Sequence, residues 1–174
     1  GLHEVKAMHR DFKVANVLLH EGQCKIADLG FAKQMEKNVT KTILGTSLTM
    51  APEVLDERPY GFEADIWSLG VVYYQLLYGK YPYQGVSDPD ILKRIRTSRP
   101  DFNGINISEK ARDFIDRCLI VDPKSRIKWK EIYDHPVIRE KEKIVYGLAS
   151  RLSVADNRNF YERELKIDEN LIYA

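Results

Sequence analysis

Apolar residues at Ile66, Trp67, Leu69, Val72, Tyr73, Leu76 and Leu77 fall nearly all round a helical projection. The stretch from Asp65 to Leu77 therefore predicts a helix buried in a domain centre. Gly79 ends it, and Pro82 lies shortly beyond, as at ordinary helix stops. Two amphipathic helices are predicted next. Asp88-Pro89 opens the first, with Ile91, Leu92 and Ile95 on one face. Ser108 caps the second, which carries Ala111, Phe114, Ile115, Cys118 and Leu119 at helical spacing. Asp122-Pro123 breaks it, and a short helix around Trp129 to Tyr133 precedes His135-Pro136.

Upstream the pattern shortens. The opening residues read as the end of a helix. Val17-Leu18-Leu19 and Lys25-Ile26-Ala27 flank His20-Glu21-Gly22-Gln23 as a small hairpin. Asp28 to Glu53 is polar, has no sustained helical period, and reads as a long functional or mobile connection. The tail from Val137 is charge-rich with balanced signs, compatible with a peripheral helix, a linker or a partner segment. No internal repeat or low-complexity tract occurs.

Composition narrows the classes. The chain has 174 residues, 44% hydrophobic and 30% charged, within the range of one globular domain. A net charge of +1 gives no general electrostatic case for nucleic acid or a membrane surface. Ile66 to Leu77 is too short to span a bilayer, which needs about 20 apolar residues, and no secretory signal opens the chain. Cys24 and Cys118 form no CxxC pattern and read as two reduced, buried thiols of an intracellular, cytoplasmic protein. The four histidines lack metal-ligand spacing.

The chemistry lies near the start. His9-Arg10-Asp11-Phe12-Lys13-Val14-Ala15-Asn16, then Asp28-Leu29-Gly30, then Ala51-Pro52-Glu53 match in order the H-R-D-x-x-x-x-N, D-F-G and A-P-E elements of protein kinases. Residues 2–138 resemble the C-terminal lobe of a eukaryotic protein kinase. Lys13 and Gly45-Thr46 resemble the serine/threonine branch. The fold this implies is mainly α, a helical lobe with short β-hairpins, over residues 1–138, with 139–174 as a charged extension. No G-x-x-x-x-G-K-[ST] loop of an unrelated ATPase is present.

The resemblance implies ATP and Mg2+ as cofactors and a protein substrate with a serine or threonine acceptor. Asp11 would take or orient the acceptor hydroxyl's proton, and Lys13 would reach the transferred phosphate. Asn16 and Asp28 would supply oxygen ligands to magnesium, and Leu18 would form the adenine floor. It also implies that Thr46 hydrogen-bonds Asp11 and Lys13, that Glu53 pairs with Arg126, and that Asp65 holds the catalytic-loop backbone. Asp65, Trp67 and Gly70 fit the Asp-x-Trp-Ser-x-Gly signature. Leu29, Val14, Phe12 and Thr49 depart from the commonest family residues without removing a catalytic group. Lys25 to Lys33 and Met50 to Leu55 look like ULK-type autophagy-initiating kinases, and calcium/calmodulin-type kinases share much of this wording.

Nothing before His9 matches a glycine-rich nucleotide loop or a strand lysine. The expectation is a chain lacking the N-terminal lobe, which would pack on it, and inactive in isolation. A non-catalytic kinase-lobe scaffold that binds partners is the competing expectation. Thr42 is the expected activation site, with Thr40 behind it, and its phosphate would pair with Arg10. Ala15 and Gln75 stand where arginine-selective kinases place glutamates, and an aromatic residue such as Phe31 goes with serine acceptors. The expected enzyme prefers serine and selects no upstream arginine.

Overall fold

The chain was analysed as a computed structural model, which describes residues 6–20, 23–34 and 47–139. In order, it forms β1 (Ala7–Met8), β2 (Val17–His20), β3 (Gln23–Ile26), β4 (Lys33–Gln34), α1 (Pro52–Leu55), α2 (Glu63–Tyr78), α3 (Asp88–Thr97), α4 (Glu109–Cys118), α5 (Trp129–Asp134) and α6 (Pro136–Arg139). The described chain is helix-rich with few strands. It divides into two units, Val14–Asp28 and the residues on either side of that segment.

In the larger unit, α2 is the central helix, and its sequence explains why. Trp67, Val71 and Tyr74 join one apolar cluster with Met8, Ala51, Val54, Ile91, Ile95, Ile115 and Leu119. Ile66 serves a second cluster with Phe114, Cys118, Ile127 and Ile132. A helix feeding two clusters has no polar face to show, hence its all-round apolar pattern. Gly79 takes φ 65°, the left-handed geometry that stops a helix most easily with glycine. Gly70 permits close helix packing: a Cβ there would lie 2.5 Å from the Cβ of Cys118 on α4. Ser108 caps α4 by accepting a hydrogen bond from the Ala111 N–H at 3.1 Å. Ser87, one residue ahead of the predicted start, accepts one from the Asp90 N–H and caps α3.

The helix end expected at the opening falls on residues 1–5, outside the described residues. Just after them, Ala7–Met8 is a strand paired antiparallel with Lys33–Gln34. A two-residue pairing is too short to leave an alternation in the sequence, so backbone hydrogen bonding decides it.

The smaller unit is the expected hairpin. β2 and β3 pair antiparallel from Val17–Ile26 to His20–Gln23, and the Ala27 N–H extends the ladder to the Asn16 carbonyl at 2.8 Å. Cys24, Lys25 and Ile26 are exposed on its second strand. The pair of buried thiols expected is therefore half right: Cys118 is buried and Cys24 is exposed, because a strand at the edge of a two-stranded ribbon has few neighbours to cover it. No helix among the described residues is long and apolar enough to cross a membrane.

Candidate active site

The loop after β1 is tied to the central helix through one carboxylate. The Asp65 Oδ2 accepts the His9 N–H at 2.8 Å and its Oδ1 accepts the Arg10 N–H at 3.0 Å. This satisfies two backbone donors in a segment that has no regular ladder to use them. His9 is buried, its ring edge-on to Phe12, and its Nδ1 accepts the Asp11 N–H at 3.3 Å. That bond places the imidazole's acceptor on Nδ1. Arg10 sits at φ 68°, a left-handed geometry costly for a side chain with a Cβ. Its side chain hydrogen-bonds the Tyr60 hydroxyl, whose pKa burial raises and Arg10 opposes.

Asp11, so positioned, meets Lys13. The Lys13 Nζ lies 2.7 Å from the Asp11 Oδ2, with the carboxylate side chain 2% exposed and the lysine 29%. A buried carboxylate needs a cation and hydrogen bonds to remain charged, and this ammonium supplies one while keeping an accessible face.

A second polar cluster anchors the segment that leads into α1. Arg126 donates from Nη1 and Nη2 to the two oxygens of Glu53 at 2.8 and 3.0 Å, and from Nε to the Ile120 carbonyl at 3.0 Å. Its guanidinium also lies 5.2 Å from the Trp67 ring centre. The Ser68 hydroxyl donates to the Thr49 carbonyl at 2.8 Å, binding the same segment to α2.

In the smaller unit Asn16 and Asp28 stand at the open end of the hairpin, one just before β2 and the other two residues after β3. The Ala27–Asn16 backbone bond keeps those two chain ends side by side. Asp28 takes φ 59° and is exposed, whereas Asn16 is buried. Leu18 points an apolar side chain outward, 46% exposed. The donors here are one amide and one carboxylate oxygen group, hard ligands that suit magnesium sharing its shell with phosphates and water. Among the described residues no three His, Cys, Asp or Glu side chains gather into a closed metal cage.

The protein kinase domain family matches residues 1–138. The chain belongs to the eukaryotic serine/threonine protein kinase family. Schizosaccharomyces pombe serine/threonine-protein kinase shk1/pak1 is 37% identical over 148 residues, 80% of this chain and 22% of that protein. Human serine/threonine-protein kinase PAK 4 is 37% identical over 142 residues, 79% of this chain and 24% of its own length. Arabidopsis thaliana serine/threonine-protein kinase TIO is 34% identical over 163 residues, 90% of this chain and 12% of its own length. The chain thus spans about a quarter or less of these curated relatives.

Within this kinase-family chain, His9, Arg10, Asp11, Lys13 and Asp65 come together in one unit, and Glu53 and Arg126 meet in the same unit. Asn16, Leu18 and Asp28 share the hairpin. Thr40, Thr42 and Thr46 lie outside the described residues. Tyr60 escaped the sequence analysis: a tyrosine between Pro59 and Gly61 carries no motif that announces a bond to Arg10. The Ser68–Thr49 tie escaped too, because its acceptor is a backbone carbonyl.

Proposed function

We propose that this chain is the helical, C-terminal lobe of a serine/threonine protein kinase, transferring the γ-phosphate of ATP to a protein hydroxyl. The observation that carries the reading is the Asp11–Lys13 pair at 2.7 Å on a loop whose backbone Asp65 clamps. Asp11 takes the proton of the acceptor hydroxyl as its oxygen bonds to the γ-phosphorus and the bond to the ADP oxygen breaks. Lys13 offsets the charge on the equatorial phosphate oxygens, and preset groups of this kind act without reorganising during the step. Magnesium, when bound, neutralises the β- and γ-phosphates. Asn16 and Asp28 would hold it, Leu18 would lie under the adenine, and an N-terminal lobe would pack on this chain. Thr46 would hydrogen-bond Asp11 and Lys13.

The acceptor is proposed to be serine without upstream arginine selection. Ala15 carries no charge, and the Gln75 side chain is 1% exposed, so neither offers a carboxylate to a substrate guanidinium. A positional peptide library tests this, and dominant arginine two or three residues ahead of the acceptor would contradict it.

The test of the reaction uses a polypeptide that joins this chain to a glycine-rich nucleotide loop and a strand lysine. Phosphate transfer from ATP should fall about 100-fold or more on Asp11→Asn, the scale of a lost general base. Equal transfer by the variant would remove the catalytic reading and leave the lobe as a partner-binding scaffold.

A further inference from the structure

A cavity of about 540 Å3 opens between the end of α3, the Ser98–Pro100 segment and the end of α4. No residue of the catalytic loop or the hairpin lines it, and it meets the Glu53–Arg126 cluster only at Ile120 and Val121, whose carbonyls Arg126 holds. Ile95, Leu119 and Val121 give it apolar wall. Tyr83, Arg96, Thr97, Ser98, Arg99 and Asp116 give it polar wall.

Tyr83 is 7% exposed and its ring stacks on Trp67 with centroids 6.0 Å apart, so its position is fixed. Among the described residues its hydroxyl has no hydrogen-bond partner, although a phenol this deep normally finds one. Arg99 likewise has no hydrogen-bond or ion-pair partner among the described residues, whereas Arg96 beside it is engaged by Asp56 at 2.7 Å. Asp116 meets Arg112 at 3.8 Å. The three groups feel one another. Burial, with Asp116 next, pushes the Tyr83 hydroxyl up to about 12, which keeps it a neutral donor, and Arg99 opposes. Burial also raises the Asp116 carboxyl, against Arg112 and Arg99.

This charge arrangement selects a ligand. An anion drawn to Arg99 is repelled by Asp116, and a cation drawn to Asp116 is repelled by Arg99 and Arg96. A neutral group with an acceptor beside a donor satisfies both, and a peptide bond is such a group. We propose that the cavity is a docking pocket for an extended segment of a partner protein, with a main-chain amide held by Arg99, Tyr83 and Asp116 and the adjoining aliphatic side chain against Ile95, Leu119 and Val121. Its volume lies within the roughly 300–1,000 Å3 of small-ligand sites, ample for one such residue. The pocket's chemistry does not depend on phosphoryl transfer.

The test is a methyl-NMR titration of the full chain with three probes: neutral N-acetyl-leucine methylamide, anionic N-acetyl-leucine and cationic leucine methylamide. The neutral probe should give saturable shifts at Ile95, Leu119 and Val121 while Ile66 and Ile132 of the second apolar cluster stay put. Tyr83→Phe, which keeps the stacked ring, and Arg99→Gln should each weaken it about fivefold, the size of one hydrogen bond. Unchanged Ile66 and Ile132 resonances in the variants show that both fold. Shifts that never saturate, tighter binding of either charged probe, or equal affinity in both variants overturns the proposal.

Discussion

Glu53 and Arg126 stand 73 positions apart in sequence and form a two-pronged ion pair whose side chains are 3% and 0% exposed. The guanidinium also reaches the Glu63 and Ile120 carbonyls, so one side chain joins the start of α1, the start of α2 and the loop after α4. Removing one charge leaves the other buried and uncompensated. Glu53→Gln is expected to cost about 3–5 kcal/mol. Glu53→Gln combined with Arg126→Met should cost less than the sum of the two, read by urea unfolding of all four species in a double-mutant cycle. Additive losses would show that the two side chains act separately.

Asp65→Asn puts an amide nitrogen where one of two backbone N–H donors now finds an oxygen. The expected loss is about 1–3 kcal/mol, the cost of an unsatisfied buried donor. Hydrogen exchange should quicken at His9 or Arg10 while amides in the middle of α2 keep their protection. Uniform quickening along α2 would mean that the carboxylate supports the helix rather than the loop.

Asp11 and Asp28 should fail differently in the active polypeptide. Asp11→Asn keeps shape and loses the proposed proton acceptor, so kcat should collapse while magnesium-dependent ATP binding persists. Asp28→Ala removes a proposed oxygen ligand, so ATP binding itself should lose its magnesium dependence. Calorimetric titration with ATP, with and without magnesium, separates them, and identical profiles would contradict the division of roles.

Thr42→Ala is expected to lower activity and to abolish a phosphate mapped on that loop, with Arg10 as the cation the phosphate meets. Because Tyr60 shares a hydrogen bond with the Arg10 side chain, Tyr60→Phe should weaken the same activation without removing the phosphate. Full activity in Thr42→Ala excludes the site.

Alkaline pH should destabilise the larger unit. Burial pushes the Cys118 thiol up to about 12 from an ordinary 9.0. The folded state therefore holds the thiol neutral where the unfolded chain ionises. That contribution is whole below pH 9 and is lost as pH climbs toward 12; Tyr83, raised to about 12 from 10.0, adds to it with the same sign. Urea midpoints at pH 8 and 10.5 should fall less in Cys118→Ala than in the native chain. In native protein at pH 8, iodoacetamide should label exposed Cys24 and spare Cys118.

The helices were legible because their signals are local and repeated. Ile91, Leu92 and Ile95 mark one face, Ser108 a start and Gly79 a stop, and the structure sets α3, α4 and the end of α2 there. The polar loop from His9 to Lys13 was legible for a different reason: Asp11 and Lys13 sit close together in sequence, and the structure pairs them at 2.7 Å. What stayed hidden depends on partners far along the chain. Met8 belongs to a strand because Lys33 lies across from it, and α6 opens on Pro136 with only four residues to show a period. Cys24 resembles a core residue by type, and only the open ribbon that carries it decides its exposure. The Tyr83–Arg99–Asp116 grouping draws on three separate segments, and no spacing rule reaches across them.

The approach of Gly70 to Cys118 has a consequence for how this chain can change its sequence. The contact is between Cβ positions, so trimming Cys118 to alanine frees no room for a side chain at 70, and even a second glycine, at 118, would leave the new Cβ 3.1 Å from the Leu119 Cδ2. That second glycine would weaken the end of α4, which carries Leu119 at its cap. A side chain at 70 therefore requires α4 to shift, and with it Leu119 of the first apolar cluster and Cys118 of the second, so a change at this one position is coupled to both.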